Sequence, residues 1–370
     1  MLPLIFWCTN CLNASTRPRI SFDDRGWCNA CRWAEEKATV DWAARRVQLE
    51  RLLAQHRRQS GEFDCVVPVS GGKDGSYVAQ ALRDEYGMSP LCVTVTPAME
   101  TQLGSANLSA FIASGYNHLQ VNPNPVAMQR LNRVGFEEMG FPYFGWLMAI
   151  KTAVISVATR FNVDLIFYGE DGEIEYGGST ETAESPFYDF EYMRRIYYEG
   201  GQDPVLAKSG LSDVDLQFFR FPDVTRVRDS LRVTHWSYFE NWDPYRNYLV
   251  AKEKCGLKEA ESSNTGTFTN FAQNDQSLYA LHAYLMYLKF GFGRATQDAG
   301  IEIRRGAMSR GQALNLVRLY DGHLAEEFVS DFIDYYKMDR PEFDAVLARY
   351  ANPALFKWDG AAWRPTFRVE

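Results

Sequence analysis

From about residue 64 onward, short apolar runs alternate with longer stretches of helical period. Cys65-Val-Val-Pro-Val, Leu91-Cys-Val-Thr-Val-Thr, residues 118–122 and Val163-Asp-Leu-Ile-Phe-Tyr168 read as strands over 64–69, 91–96, 118–122 and 163–168. Between them the spacing predicts helices at about 74–87, 102–114 and 146–161. This rhythm predicts parallel strands joined by right-handed crossovers, and so an α/β fold with a doubly wound parallel sheet. Upstream, 33–60 reads as one basic amphipathic helix carrying Arg45, Arg46, Arg51, Arg57 and Arg58, whose expected fate is a solvated face on a connecting element. Downstream, Leu278, Leu281, Leu285 and Leu288 share one face of a helix over 275–290, with His282 beside them as a core histidine. Residues 310–350 read as two more helices. The expected division is a cysteine module over 1–36, a linking helix over 37–60, an α/β domain over 61–250 and a helical C-terminal region over 251–370.

Composition narrows the partners more than the fold. The 370 residues are 46% hydrophobic and 23% charged, as in ordinary globular proteins. With 39 Lys+Arg against 47 Asp+Glu the net charge is -8, which disfavours nucleic acid as a partner except at a local basic patch. No run approaches the ~20 apolar residues of a membrane span, so no membrane association is expected. The apolar start lacks a basic flank and stops at Thr9-Asn10, which argues against a signal peptide and for the cytoplasm.

Four of the seven cysteines form Cys8-x2-Cys11, a gap of sixteen residues, and Cys28-x2-Cys31. Two such pairs can converge into the thiolate tetrahedron that Zn²⁺ favours, and a closed four-sulfur site is structural. Disulfides or a redox pair are the rival reading, and an unexported chain with three further cysteines suits them less. Cys65 and Cys92 fall in apolar strands and read as buried, inert thiols.

The apolar run 65–69 ends in Ser70-Gly71-Gly72-Lys73-Asp74-Gly75-Ser76, with a helix expected from about Asp74. Two glycines let backbone amides curl round an anion, and the helix N-terminus adds partial positive charge. Ser70, Gly71, Gly72, Lys73, Asp74 and Ser76 are therefore the candidate ATP-binding residues. Lys73 can meet a phosphate, and Asp74 can hold Mg²⁺ or cap the helix. The loop is neither a Walker A sequence nor G-x-G-x-x-G.

The fourth strand runs into Gly169-Glu-Asp-Gly-Glu-Ile-Glu-Tyr-Gly-Gly178. With the strand order 3-2-1-4-5, this segment and the glycine loop flank one crevice at the switch point. Four carboxylates beside a triphosphate call for Mg²⁺; a solvated acidic turn is the alternative. The favoured reading gives Asp74 and Asp171 to magnesium, makes Lys73, Asp74 and Asp171 the catalytic groups, and leaves Glu173 and Tyr176 to substrate. Farther on, Arg294 sits between small residues, as do Arg304 and Arg305. Such arginines can grip phosphate or a sugar carboxylate, and Arg294 is the candidate; helix caps with surface arginines are an equal alternative.

Ser70–Ser76 resembles the SGGxDS loop of the PP-loop ATP pyrophosphatases, the adenine nucleotide alpha-hydrolase-like fold, with Gly75 where that family has serine. Taken with the cysteine pairs, Tyr168–Gly178, Trp242-Asp-Pro-Tyr245, Gly266-Thr-Phe-Thr-Asn270 and Lys289-Phe-Gly-Phe-Gly-Arg-Ala-Thr296, the whole chain resembles the N-acetyl sugar amidotransferases. Residues 97–102 match no pattern of that family. The resemblance implies an N-terminal zinc ribbon, a PP-loop domain and a C-terminal region contributing to a sugar site. It implies ATP as co-substrate, Mg²⁺, structural Zn²⁺, and conversion of an acetamido group to acetamidino through an O-adenylyl imidate. The implied substrate is a nucleotide-linked diacetamido uronic acid or a nonulosonic acid of the bacterial surface. No built-in glutaminase nucleophile is visible, and the resemblance implies ammonia from partner subunits similar to those of imidazole glycerol phosphate synthase. The alternatives are a tRNA-thiolating PP-loop enzyme, which usually carries further cysteines, and a non-enzymatic zinc-ribbon scaffold.

Overall fold

All four expected strands form, and in a computed structural model describing residues 5–58, 61–222 and 227–370 they lie side by side in parallel register. The first residues of the apolar start (1–4) and the end of the linking helix (59–60) lie outside the described residues. The strands are β1 (Cys65–Pro68), β2 (Pro90–Val95), β3 (His118–Val121), β4 (Leu165–Tyr168), β5 (Phe187–Tyr188) and β6 (Arg232–His235), in the order β3-β2-β1-β4-β6-β5. The neighbour of β4 is thus β6, pairing in parallel, whereas the next strand in the chain is a two-residue antiparallel edge. The order 3-2-1-4-5 holds through β4 and fails after it. The Thr234 hydroxyl, bonded to the Pro186 carbonyl, helps tie that edge down.

Strand alternation sends each face of the sheet into its own core. Val66, Val93 and Ile166 pack with Phe136, Phe144 and Met148 on one side. Cys65, Val67, Cys92 and Phe167 pack with Tyr77, Leu82 and Phe111 on the other. Helices Lys73–Gln80, Gln102–Ala113 and Phe144–Arg160 match the expected positions. The first continues through a π-helical turn, Ala81–Glu85. Helix Pro125–Met139 was not foreseen, although Asn124 caps it, Pro125 opens it and Gly140 closes it in the left-handed conformation.

The expected single helix over 33–60 is two, Asn29–Glu36 and Trp42–His56. Asp41 starts the second by accepting from the Ala44 amide (2.9 Å), which fixes a helix end in the middle of the run. In the C-terminal region, Leu278, Leu281, Leu285 and Leu288 are all fully buried on helix Leu278–Phe290. They join the same core as Leu131 and Phe144, together with Phe332 and Phe343 from later helices. His282 is a core histidine between the rings of Phe141 (4.8 Å) and Tyr143 (5.1 Å), and burial pushes its pKa down to about 3. Residues 310–350 form three helices where two were expected: Arg310–Tyr320, Val329–Tyr336 and Arg340–Tyr350. An antiparallel pair, Phe356–Trp358 with Trp363–Pro365, follows. Among the described residues no helix is long and apolar enough to cross a membrane.

Candidate active site

The phosphate loop takes its shape from close approaches that only glycine allows. At Gly71 (φ +77°) a Cβ would lie 2.4 Å from the Leu108 amide nitrogen, so helix Gln102–Ala113 presses directly on the loop. At Gly75 a Cβ would meet the Pro68 carbonyl oxygen at 2.7 Å. The glycine that departs from SGGxDS thus sits where helix and strand touch. Gly72 caps helix Lys73–Gln80 with no side chain, which leaves the first amides of that helix facing a cavity of about 230 Å³. Ser70, Gly72, Lys73, Asp74 and Gly75 line it, whereas Gly71 and Ser76 do not. Ser76 is fully buried beneath the helix, so its hydroxyl is out of reach of a phosphate here. The Lys73 ammonium pairs with the Asp74 carboxylate, which also accepts from Asn247 Nδ2 (3.2 Å).

The acidic segment after β4 divides its four carboxylates. Glu170 lines the cavity and accepts from the Tyr176 hydroxyl at 3.0 Å. Burial, with the Asp74 charge added, raises its pKa. Asp171 is 1% exposed and turned inward. It caps helix Gly172–Tyr176 through the amides of Glu173 (3.0 Å) and Ile174, and accepts from the Thr182 hydroxyl at 2.5 Å. Glu173 holds Arg19 in a bidentate pair, both contacts 2.8 Å, and accepts from the Ser179 amide. Glu175 accepts from Trp33 Nε1 (2.9 Å) and Lys37 Nζ (2.5 Å). Asp171 and Glu173 therefore do not join Lys73 and Asp74 in the crevice, because capping and ion pairing occupy their oxygens. Glu173 and Glu175 dock the cysteine module, helped by Asn29 Nδ2 to the Gly178 carbonyl at 2.6 Å. Glu170 and Tyr176 are the side chains of this segment that reach the cavity.

The facing wall comes from Asn274, Asp275, Tyr279 and Arg294. Asp275 is half-buried against the cavity wall, and the desolvation pushes its pKa up to about 6. Arg294 opens helix Arg294–Arg304 and pairs with Asp298 (2.8 Å). Arg304 and Arg305 point elsewhere, the first to the Glu175 carbonyl (3.3 Å) and the second to Glu302 (2.8 Å) and Asp243. A second cavity of about 220 Å³ adjoins the first, and Gln273, Asn274, Tyr279 and Arg294 belong to the walls of both.

Sequence reasoning missed Asp275 and singled out no role for Glu170 within its acidic run. It also missed Lys151, on helix Phe144–Arg160, whose ammonium lies 3.7 Å from the Tyr168 ring centre and 4.7 Å from that of Tyr197. Burial pushes the Lys151 pKa down to about 8, against the pull of Asp171 and Glu170. A lone lysine inside an otherwise apolar helical pattern was the available signal.

In the module docked on the acidic segment, the Sγ atoms of Cys8, Cys11, Cys28 and Cys31 lie within 4.8 Å of one another, all buried. Cys8 and Cys31 are 3.7 Å apart and Cys11 and Cys28 3.5 Å. A tetrahedral ion with ~2.3 Å metal–sulfur bonds sets its ligands roughly 3.8 Å apart, so these thiols fit a single metal ion. Asn10 Nδ2 (3.3 Å to Cys31), Asn13 Nδ2 (3.4 Å to Cys28) and the Cys28 amide (3.2 Å to Cys8) donate to the sulfurs, the outer-shell support that a thiolate site needs. All seven cysteines are free in this structure, with the nearest Sγ pairs of the module 3.5 and 3.7 Å apart rather than bonded.

A solved U34-tRNA thiolase from Methanococcus maripaludis, carrying a 4Fe-4S cluster, aligns over 72% of this chain and 79% of its own at 14% identity, with a TM-score of 0.32. An uncharacterized protein of Methanocaldococcus jannaschii is 26% identical over 89 residues, which are 24% of this chain and 32% of that protein. The chain thus spans about a third of the length of that relative. Residues 265–368, which supply one wall of both cavities, match the family model of the C-terminal domain of WbpG-like lipopolysaccharide biosynthesis proteins.

Proposed function

We propose that the protein is an ATP-dependent, AMP-forming amidotransferase that converts an acetamido group of a bacterial surface sugar to acetamidino. One observation carries this reading. The cavity walled on one side by Ser70–Gly75 is completed on the other by Asp275, Tyr279 and Arg294, from the stretch similar to a lipopolysaccharide biosynthesis domain. The helix amides after Gly72 and the Lys73 ammonium receive the β- and γ-phosphates of ATP. The acetamido oxygen attacks the α-phosphorus, the bond to the bridging oxygen breaks, and pyrophosphate leaves with that electron pair. Lys73 and Arg294 meet the growing charge. Ammonia then adds to the activated carbon and loses a proton, and the carbon–oxygen bond to AMP breaks to leave the amidine. Asp275, with its pKa near 6, is the crevice carboxylate suited to take that proton.

Asp74 and Glu170 fit a magnesium ion better than Asp74 and Asp171, because Glu170 faces the cavity and its repulsion by Asp74 is what a divalent cation relieves. Such an ion supplies charge neutralisation on the phosphates. The cysteine site suits structural zinc. Ammonia comes from a separate glutaminase subunit, since Cys65, Cys92 and Cys255 are buried with pKa values pushed up, Cys92 to about 12. The cytoplasm, where ATP is made, is the compartment this reading assigns.

The test is AMP and pyrophosphate release with ATP, Mg²⁺ and ammonium chloride over a panel of UDP-linked diacetamido uronic acids and acetamido nonulosonic acids. The expected result is a product with one amide oxygen replaced by NH, matched by AMP. AMP formation with unmodified tRNA and with no sugar would overturn the assignment.

A further inference from the structure

The second cavity contains a buried amide with nothing to bond. Gln276 is 2% exposed and lines this lobe, and neither Oε1 nor Nε2 has a hydrogen-bond partner among the described residues. An unpaired buried amide is costly to bury, so a ligand that satisfies it binds more tightly than one that does not. Its polar neighbours are engaged. The Thr101 hydroxyl donates to the Asn274 carbonyl. Asn264 Nδ2 donates to the Ala272 carbonyl and to Asn274 Oδ1, both 2.7 Å. Thr265 donates to Glu327 (2.8 Å) and Thr267 to Asp298 (2.6 Å). The Tyr279 hydroxyl lies near both Asp275, at 3.4 Å, and the Gln276 amide, but meets hydrogen-bond geometry only with Asp275.

Backbone pairing holds Gln276 in place. It forms a β-bridge with Glu100, flanked by the Ser277 amide to the Met99 carbonyl and the Thr101 amide to the Asp275 carbonyl, each 3.1 Å. Residues 97–102, which match no pattern in the sequence, thus brace this residue. The rest of the lobe is Thr, Asn, Gln, Ser, Tyr, Ala, Leu and Phe, with Arg294 the one charged lining residue among those described. A polyanion would need more cations, and a hydrocarbon would leave Gln276 unsatisfied. A hydroxyl- and amide-bearing ring with one apolar face and no more than one carboxylate, which Arg294 can meet, matches all three features.

We propose that this lobe is the acceptor subsite and that Gln276 reads two adjacent substituents of the sugar ring. Oε1 accepts from an acetamido N–H while Nε2 donates to the oxygen on the neighbouring carbon. The carbonyl end of that acetamido group then lies toward the shared wall at Tyr279 and Arg294, facing the phosphate lobe. This assignment rests on the reading of the acceptor as an acetamido sugar.

The test is calorimetric binding of UDP-N-acetylglucosamine and of UDP-glucose to the full chain saturated with the non-cleavable analogue AMPCPP, for the parent protein, Gln276→Leu and the near-isosteric Gln276→Glu. The parent is expected to prefer the acetamido sugar by about 10-fold or more, a site hydrogen-bonding one group rejecting the analogue that lacks it. Gln276→Leu is expected to lose that preference, and Gln276→Glu, which keeps the acceptor oxygen, to retain part of it; AMPCPP affinity stays unchanged in both. An unchanged preference in Gln276→Leu, or none in the parent protein, would overturn the proposal. Preference in the parent without AMP formation from any acetamido sugar would sink the proposed reaction and leave the subsite standing. AMP formation with an acceptor KM indifferent to both variants would do the reverse.

Discussion

Replacing Glu175 by alanine separates the two readings of the acidic segment. If these carboxylates serve magnesium or substrate, the variant should alter catalysis and leave the N-terminal module in place. The structure says the opposite. The Glu175 carboxylate takes both the Trp33 indole N–H and the Lys37 ammonium, and the paired side chains of Lys37 and Glu175 are only 11% and 10% exposed. Removing one partner of a buried ion pair costs about 3–5 kcal/mol, and here the Lys37 stem can bend toward water, which lowers the figure to roughly 2–4 kcal/mol. That cost falls on the contact between the module and the segment 172–178, so it appears as local opening before global unfolding. Amide exchange across 8–36 should accelerate by roughly 30- to 1,000-fold, measured by mass spectrometry, with exchange in β1 and β2 unchanged. Glu175→Gln keeps the indole bond and loses the charge, and should fall between. Unchanged exchange in Glu175→Ala, with a raised magnesium requirement for AMP formation, would refute the docking argument and return the segment to the metal.

Three further outcomes follow from the geometry. Gly75→Ser, which restores the serine of SGGxDS, should destabilise by about 1–3 kcal/mol in a denaturant titration without improving ATP affinity, because its Cβ meets the Pro68 carbonyl. Lys73→Met should keep the fold, with circular dichroism and melting barely changed, yet lower the rate of AMP formation by roughly 10²–10³-fold. Asp275, whose pKa is pushed by burial up to about 6 from the ordinary carboxylate range, binds its proton more tightly folded than unfolded. It therefore favours the folded state below that range and loses this contribution as pH rises from 4 through 6, so Asp275→Asn should flatten the melting temperature over that window.

The parallel core was legible because β1 to β4 are apolar runs separated by helical periods, a pattern that survives without tertiary information. β6 was not: Arg232-Val-Thr-His is short and half polar, and it becomes a strand by pairing with Leu165–Tyr168 and covering the edge that β5 would otherwise take. The glycine loop was legible because its glycines are contiguous between a strand and a helix start, although the contact of Leu108 with Gly71 was not. The fates of Asp171, Glu173 and Glu175 were not, because an acidic run looks alike whether it binds a metal or a neighbouring module, and Arg19, Trp33 and Lys37 lie more than 130 residues away in sequence. Gln276 hid inside an apparent helix. The polar quartet Asn274-Asp-Gln-Ser277 was the sign that the helix starts only at Leu278.

Four residues, Gln273, Asn274, Tyr279 and Arg294, belong to the walls of both cavities. A ligand that moves this partition in one lobe changes the room and the hydrogen-bonding faces in the other. Ligands filling the two lobes would be coupled through this wall, and linkage would make the coupling reciprocal: whatever factor the first imposes on the affinity of the second, the second imposes on the first. Under the proposed reaction, a favourable coupling of about 1–3 kcal/mol would make each substrate recruit the other by roughly 5- to 150-fold.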